Sequence, residues 1–62
     1  MNFILAKKEK LVYSFLDSRP KSLEEIVTFC QISVSEAMET LMTLEMNGLI
    51  RCEGNQYYCR KM

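Results

Sequence analysis

The residues of this chain best suited to bind a ligand lie near its end and comprise three cations and one aromatic ring: Arg51, Tyr58, Arg60 and Lys61. Cations beside an exposed ring commonly hold single-stranded nucleic acid, because the cations neutralise phosphates while the ring stacks on a base. The same residues fit an ordinary cross-strand pair of arginine and tyrosine that shields a sheet, which is the more common arrangement. The four residues are therefore a candidate nucleic-acid site, with a structural alternative.

Catalysis and metal binding have few candidate residues. The sequence has no histidine, and its three cysteines, Cys30, Cys52 and Cys59, lack the paired two-residue spacing of zinc sites. We interpret all three as buried small apolar residues. Because neither a general base near neutral pKa nor a partnered nucleophile is present, we predict no enzyme activity, no catalytic residue, no metal and no cofactor.

The size of the chain points to one small domain. It has 62 residues, with eight basic and eight acidic side chains, and a domain of this length buries only about 60% of its unfolded surface. No apolar run reaches the roughly 18 residues of a membrane span, and the apolar start lacks the basic region of a signal peptide. We expect a cytoplasmic domain over residues 1–62, without membrane contact. Residues 1–6 fit the end of a linker, and the apolar residues 3–5 among them fit equally an extension of the first helix or an addition to the core.

Helical spacing of apolar residues predicts two helices in the first half of the chain. The first buries Leu11, Val12, Phe15 and Leu16 and ends near Ser18, because Pro20 disfavours helix at the residue before it. The second begins after Ser22, which forms a capping box with Glu25. Its inward face is Leu23, Ile26, Val27 and Cys30, with Phe29 to the side.

A second capping box, Ser33 with Glu36, follows closely and predicts a tight helix-turn-helix. The third helix is expected to bury Val34, Ala37, Leu41 and Leu44 and to end at Asn47-Gly48, where glycine adopts the left-handed conformation that caps a helix. On its opposite face we expect Ser35, Glu36, Glu39, Thr40 and Thr43.

From Leu49 onward the apolar period changes to two, which predicts a hairpin with a two-residue turn at Gly54-Asn55. That turn places Arg51 opposite Tyr58, and it sorts Ile50, Cys52, Tyr57 and Cys59 onto the inner face. The expected fold is mainly α with a β-hairpin: a winged helix-turn-helix of three helices and a two-stranded wing. A short segment near Lys21 and Ser22 is a candidate third strand.

The charges are balanced but unevenly distributed. Residues 7–21 have five basic and two acidic side chains. Residues 22–50 have five acidic side chains and no basic one, and residues 51–61 have three basic side chains and one acidic one. The third helix therefore has carboxylates where a DNA-reading helix needs cations, and docking of this helix in a major groove is disfavoured.

Three methionines, Met38, Met42 and Met46, form a stripe at four-residue spacing on the third helix. We expect Met38 in the core. Met42 and Met46, with Phe29 and the apolar residues 3–5, exceed what so small a core encloses, and they form a candidate protein-contact surface. Simple partial burial is the alternative.

Three stretches of sequence carry a family resemblance: residues 20–26, residues 32–36, and residues 41–50 followed by Gly54 and Tyr57. Together they resemble the C-terminal winged-helix domain of the bacterial DNA-processing protein A family (DprA, also called Smf). The resemblance implies that the chain is part of a larger protein, whose Rossmann-like domain binds single-stranded DNA and helps to load the RecA recombinase during natural transformation. The wing differs from the family in having Glu53-Gly54-Asn55-Gln56 where Pro-Gly-Gly is frequent.

Four functional hypotheses follow. The first is a non-catalytic module of a DNA-processing protein that contacts the rest of the parent protein or a second subunit. In this hypothesis the wing makes weak contact with single-stranded DNA, and the parent protein makes any contact with RecA. The second is a fragment of a transcription regulator that binds duplex DNA, which calls for a basic third helix. The third is a winged helix that mediates protein contacts in an unrelated assembly. An enzyme comes last.

Overall fold

The computed structural model describes residues 7–61, so the interpretations of residues 1–6 fall outside the described part of the chain. Its elements are α1 (Lys7–Phe15), β1 (Lys21–Ser22), α2 (Leu23–Cys30), α3 (Val34–Met46), β2 (Ile50–Glu53) and β3 (Tyr57–Arg60). The strands form an antiparallel sheet in the order β1-β3-β2. Three helices followed by a wing confirm the predicted winged-helix fold, with the third strand at Lys21 and Ser22.

The core lies between the helices and the inner face of the sheet. Its buried residues are Val12, Leu16, Leu23, Ile26, Cys30, Ala37, Leu41, Leu44 and Ile50. Three predicted core residues, Leu11, Val34 and Met38, are instead exposed, and Thr40 is buried in place of Val34. The buried side of α3 is therefore rotated from the expected one, because α1 packs along the flank of α3 that includes Thr40.

The helix ends follow their local sequence signals. Both predicted capping boxes are present: Ser22 with Glu25, and Ser33 with Glu36. After α3, the Gly48 amide donates to the Glu45 carbonyl. The Leu49 amide donates to the Leu44 carbonyl, and the two hydrogen bonds form a Schellman motif.

The tight turn between α2 and α3 begins at Gln31, which has a left-handed backbone with φ of 56°. Its amide donates to the Val27 carbonyl and thereby closes the last turn of α2. The first helix ends at Phe15, three residues before the predicted end at Ser18. The Asp17 carboxylate there accepts a hydrogen bond from the Arg19 amide, and this local turn replaces further helix.

The predicted register of the wing is wrong by one residue. Gly54, Asn55 and Gln56 form a three-residue turn, in which both Gly54 and Gln56 have positive φ. Arg51 consequently lies opposite Cys59, and Tyr58 lies opposite Cys52.

Because residues directly opposite each other share a face, this register reverses the faces of β3. Tyr58 shares the inner face with Ile50 and packs against the core, whereas Tyr57 is exposed on the outer face. Cys59 is buried on the outer side of the sheet. The prediction that all three cysteines are buried is wrong for Cys52, which is exposed.

Candidate contact surfaces on the third helix and the wing

The solvent-facing side of α3 carries methionines and carboxylates. Met38, Met42 and Met46 are 49%, 60% and 80% exposed, so the last two are exposed as expected, whereas Met38 does not lie in the core as predicted. The contact role of Met42 and Met46 stays a prediction. Glu39 and Glu45 are exposed beside them. The acidic face differs from the expected one at Thr40, which is buried.

The three methionines lie in one row along the helix, and this row is referred to below as the methionine ridge. At about 1.5 Å per residue the ridge extends for about 12 Å. At about 100° per residue, Glu45 lies on one side of the ridge and Glu39 lies on the other. The ridge is thus an apolar strip between two carboxylates.

Glu36 lies on the flank of α3 that meets α1. Its carboxylate accepts a hydrogen bond from the Lys8 ammonium at 2.6 Å. The Lys8 hydrogen bond and the Ser33 amide hold the pKa of Glu36 below its usual value, and the same pairing raises the pKa of Lys8. This residue therefore joins two helices and is not part of the methionine ridge.

Among the four wing residues, Arg51 and Lys61 are exposed. Arg51 pairs with Glu53 on the same strand at 2.8 Å, and both side chains are largely exposed. A hydrogen bond with Cys59, and then the charge of Glu53, raise the pKa of the Arg51 guanidinium. Because exposed pairs of this kind are weak, Arg51 can exchange Glu53 for a phosphate at little cost.

Tyr58 and Arg60 are engaged within the fold. Burial raises the pKa of the Tyr58 hydroxyl, with a smaller effect from the adjacent Cys52. Arg60 donates two hydrogen bonds to the Tyr13 carbonyl and lies over the Tyr13 ring. The structure thus does not bring the four candidate residues together on one surface, and the exposed aromatic ring of the wing is Tyr57.

Phe29 is 60% exposed, and its ring stacks on Phe15 of α1 with 4.2 Å between the centroids. The Lys21 ammonium lies over the Phe15 ring at 5.5 Å. Phe29 thus belongs to the junction of α1 and α2, whereas Met42 and Met46 belong to α3. The predicted contact surface of these three residues therefore spans two helices, as the sequence places them, and it stays a prediction.

Neither a groove, a metal site nor a reactive thiol adds an evident catalytic centre to residues 7–61. A shallow groove lies between α2, the start of α3 and the tip of the wing, and its lining includes Thr28, Val34 and Tyr57. Within residues 7–61, no three Cys, Asp or Glu side chains come together as metal ligands would. Burial raises the pKa of the Cys30 thiol, which lowers the reactivity of this residue.

Comparison with known proteins agrees with this architecture. The family model described as the DprA winged helix domain matches residues 3–56, which is most of the chain. The chain belongs to the DprA winged-helix domain family. This match confirms the resemblance noted in the sequence. Searches of curated proteins and of solved structures give no significant match.

Membership of the DprA family implies a role in DNA processing. The DprA winged helix is a module and is not itself a catalytic domain. None of the helices described for residues 7–61 is both long enough and apolar enough to cross a membrane.

Proposed function

We propose that this DprA winged helix is a non-catalytic contact module of a cytoplasmic protein that processes single-stranded DNA in natural transformation and recombination. Its main contacts are with protein, either the Rossmann-like domain of the parent protein or a second subunit. Any interaction with RecA is made by the parent protein. Contact with DNA is weak and occurs through the wing.

One observation carries the proposal for protein contact: the exposed side of α3 has an apolar ridge and carboxylates where a DNA-reading helix has cations. From residue 22 to residue 50 the chain contains no lysine or arginine. Since affinity for nucleic acid comes largely from neutralised phosphates, this helix is unsuited to approach a duplex. The acidic α3 also disfavours the alternative of a transcription regulator, because such a protein reads duplex DNA with a basic third helix.

Contact with single-stranded DNA is proposed at the wing because the wing combines exposed cations with an exposed aromatic ring. Arg51 and Lys61 are accessible, and Tyr57 offers an exposed ring on the same face as Arg51. Two exposed cations, of which Arg51 is also paired with Glu53, supply only a weak and salt-sensitive attraction. Tyr58 and Arg60, the other two candidates, take part only if they leave their contacts with the core and with Tyr13.

The test is a titration of the isotope-labelled chain with short single-stranded and duplex DNA, followed by nuclear magnetic resonance at low and physiological salt. We expect small shifts at Arg51, Tyr57 and Lys61 with single-stranded DNA, and loss of these shifts at physiological salt. The variant Arg51→Gln removes them, while the matched variant Lys7→Gln on α1 does not. Shifts centred on Glu39 and Thr43 with duplex DNA would instead support the regulator. A complete lack of shifts with both DNAs would leave protein contact as the sole role.

A further inference from the structure

The methionine ridge has the geometry of a helix-packing surface. Its three side chains occupy one row of residues four apart, and such rows are the ridges that fit between the side-chain rows of a neighbouring helix. The three methionines are about half exposed or more, whereas Ala37, Leu41 and Leu44 on the other side of α3 are buried. Methionine is flexible and polarizable, so a row of exposed methionines adapts to apolar partners of varied shape.

The charges around the ridge define what such a partner must carry. Glu39 and Glu45 lie on its two sides, and among residues 7–61 neither has a cation within ion-pair distance. Helices α2 and α3 carry no cation, and the Lys8 ammonium of α1, which binds Glu36, acts on Glu39 only through its charge. A partner with acidic side chains would be repelled, whereas one with basic side chains on both sides of an apolar stripe would be attracted.

We infer that the methionine ridge is a docking surface for an amphipathic helix of a partner protein, with apolar side chains on the methionines and lysine or arginine side chains beside Glu39 and Glu45. This inference deepens the proposed function and rests on it. Binding of an amphipathic helix through its apolar face is a common recognition mode, and flanking charges set its orientation and its choice of partner.

The test uses two synthetic amphipathic helical peptides, one of leucine and lysine and the other of leucine and glutamate in the same pattern. The full chain is labelled at its methionine methyl groups and titrated with each peptide. We expect the leucine–lysine peptide to shift the methyl signals of Met38, Met42 and Met46 and to bind more weakly as salt is added. The leucine–glutamate peptide is expected to leave these signals unchanged.

Variants on the exposed side of α3 separate the apolar and ionic contributions. Met42→Gln with Met46→Gln keeps the side-chain length and removes the apolar contact, and we expect the dissociation constant to rise on the order of tenfold. Glu39→Gln with Glu45→Gln removes the charges, for which two exposed ion pairs predict a rise of about five- to tenfold. The matched control for the single variant Glu39→Gln is Glu24→Gln on α2, which changes the net charge by the same amount without touching the ridge and is expected to bind as the unaltered chain does.

Three results would overturn the inference. These are equal binding of the two peptides, methyl shifts that bypass the ridge, and an effect of Glu24→Gln as large as that of Glu39→Gln, which would indicate attraction to the net charge alone. Any of these results would contradict the docking inference but not the proposed function, whose protein contact would then involve a different surface, such as the Phe29 junction. Binding of duplex DNA to α3 in the DNA titration would contradict both the docking inference and the proposed function.

Discussion

The Arg60 guanidinium joins the wing to the first helix through Tyr13. It lies over the Tyr13 ring with 4.1 Å between its carbon and the ring centroid, and it donates to the Tyr13 main-chain oxygen at 2.9 and 3.1 Å. That oxygen belongs to the last turn of α1, where helix carbonyls lack helical partners and a positive charge is favoured. Arg60 is therefore a structural residue.

Replacing Arg60 tests this role. We expect Arg60→Ala to lower the free energy of unfolding by about 2 kcal/mol, since it removes charge-assisted hydrogen bonds and a cation–π contact. Arg60→Lys keeps the charge but loses the planar fork, so it recovers only part of the loss. Urea denaturation followed by circular dichroism measures both. The exposed neighbour is the control, and Lys61→Ala is expected to change stability by less than about 0.5 kcal/mol. Equal effects of the two alanine variants would contradict the role of Arg60.

The left-handed residue at the helix-turn-helix offers a stabilising change. Gln31 has a φ of 56°, a conformation that costs most residues about 1–2 kcal/mol and glycine little. After allowance for the greater freedom of glycine in the unfolded chain, we expect Gln31→Gly to raise the free energy of unfolding by about 0.5–1 kcal/mol. Thermal denaturation measures the gain.

The matched variant, Gly48→Ala, is expected to act in the opposite direction. Gly48 has a φ of 76°, and a Cβ added there meets no atom within 4 Å, so the cost is one of backbone conformation alone, about 1 kcal/mol. If Gln31→Gly destabilised the protein, a contact of the Gln31 side chain would have to outweigh the backbone strain.

Acid is expected to weaken the contact between α1 and α3. Lys8 holds the pKa of Glu36 below its ordinary value, so the pair contributes stability above the ordinary glutamate pKa of about 4.3 and loses it as the pH falls through the lowered pKa. At low salt, we expect the melting temperature of Glu36→Gln to fall less steeply below pH 5 than that of the unaltered chain. Lys8→Gln should reproduce this shallower profile, whereas Lys7→Gln should not. A steep profile in Lys8→Gln would show that another carboxylate governs acid unfolding.

The three thiols are expected to react at different rates. Cys52 is exposed on the wing, whereas Cys30 and Cys59 are buried, and burial raises the pKa of the Cys30 thiol. Because the thiolate is the reactive form and must be accessible, alkylation of the folded chain should modify Cys52 first. Mass spectrometry of the digested protein identifies the modified residue. Cys52→Ser should remove the fast phase and leave the slow one, and fast modification of Cys59 would contradict its burial.

The predictable part of the fold is the part encoded within a few residues. Each capping box needs only a serine and a glutamate three positions later, and both occur where the sequence predicted them. The end of α3 likewise follows from Asn47 and Gly48. Such signals fixed the three helices and, with the change of period after Leu49, the winged-helix fold.

Local sequence patterns do not predict the features that depend on residues distant in the chain. The buried side of α3 includes Thr40 because α1 packs on that flank, and no pattern within α3 indicates this contact. The contact of Arg60 with Tyr13 joins residues 47 positions apart, and Phe15 and Phe29 stack between different helices. The candidate wing site follows from the hairpin register considered in isolation, and these long-range contacts separate its four residues.

The wing register shows the same dependence on the core and yields the last prediction. With a two-residue turn Tyr57 would face the core, whereas the three-residue turn gives that place to Tyr58, which packs beneath the sheet while Tyr57 is exposed. We expect Tyr58→Ala to lower the free energy of unfolding by about 2–3 kcal/mol and Tyr57→Ala by less than about 1 kcal/mol. Both residues lie on the central strand and lose the same strand propensity, so the difference between the variants reports packing alone. Equal losses in urea denaturation would contradict this difference in packing, and a larger loss for Tyr57→Ala would favour the two-residue turn.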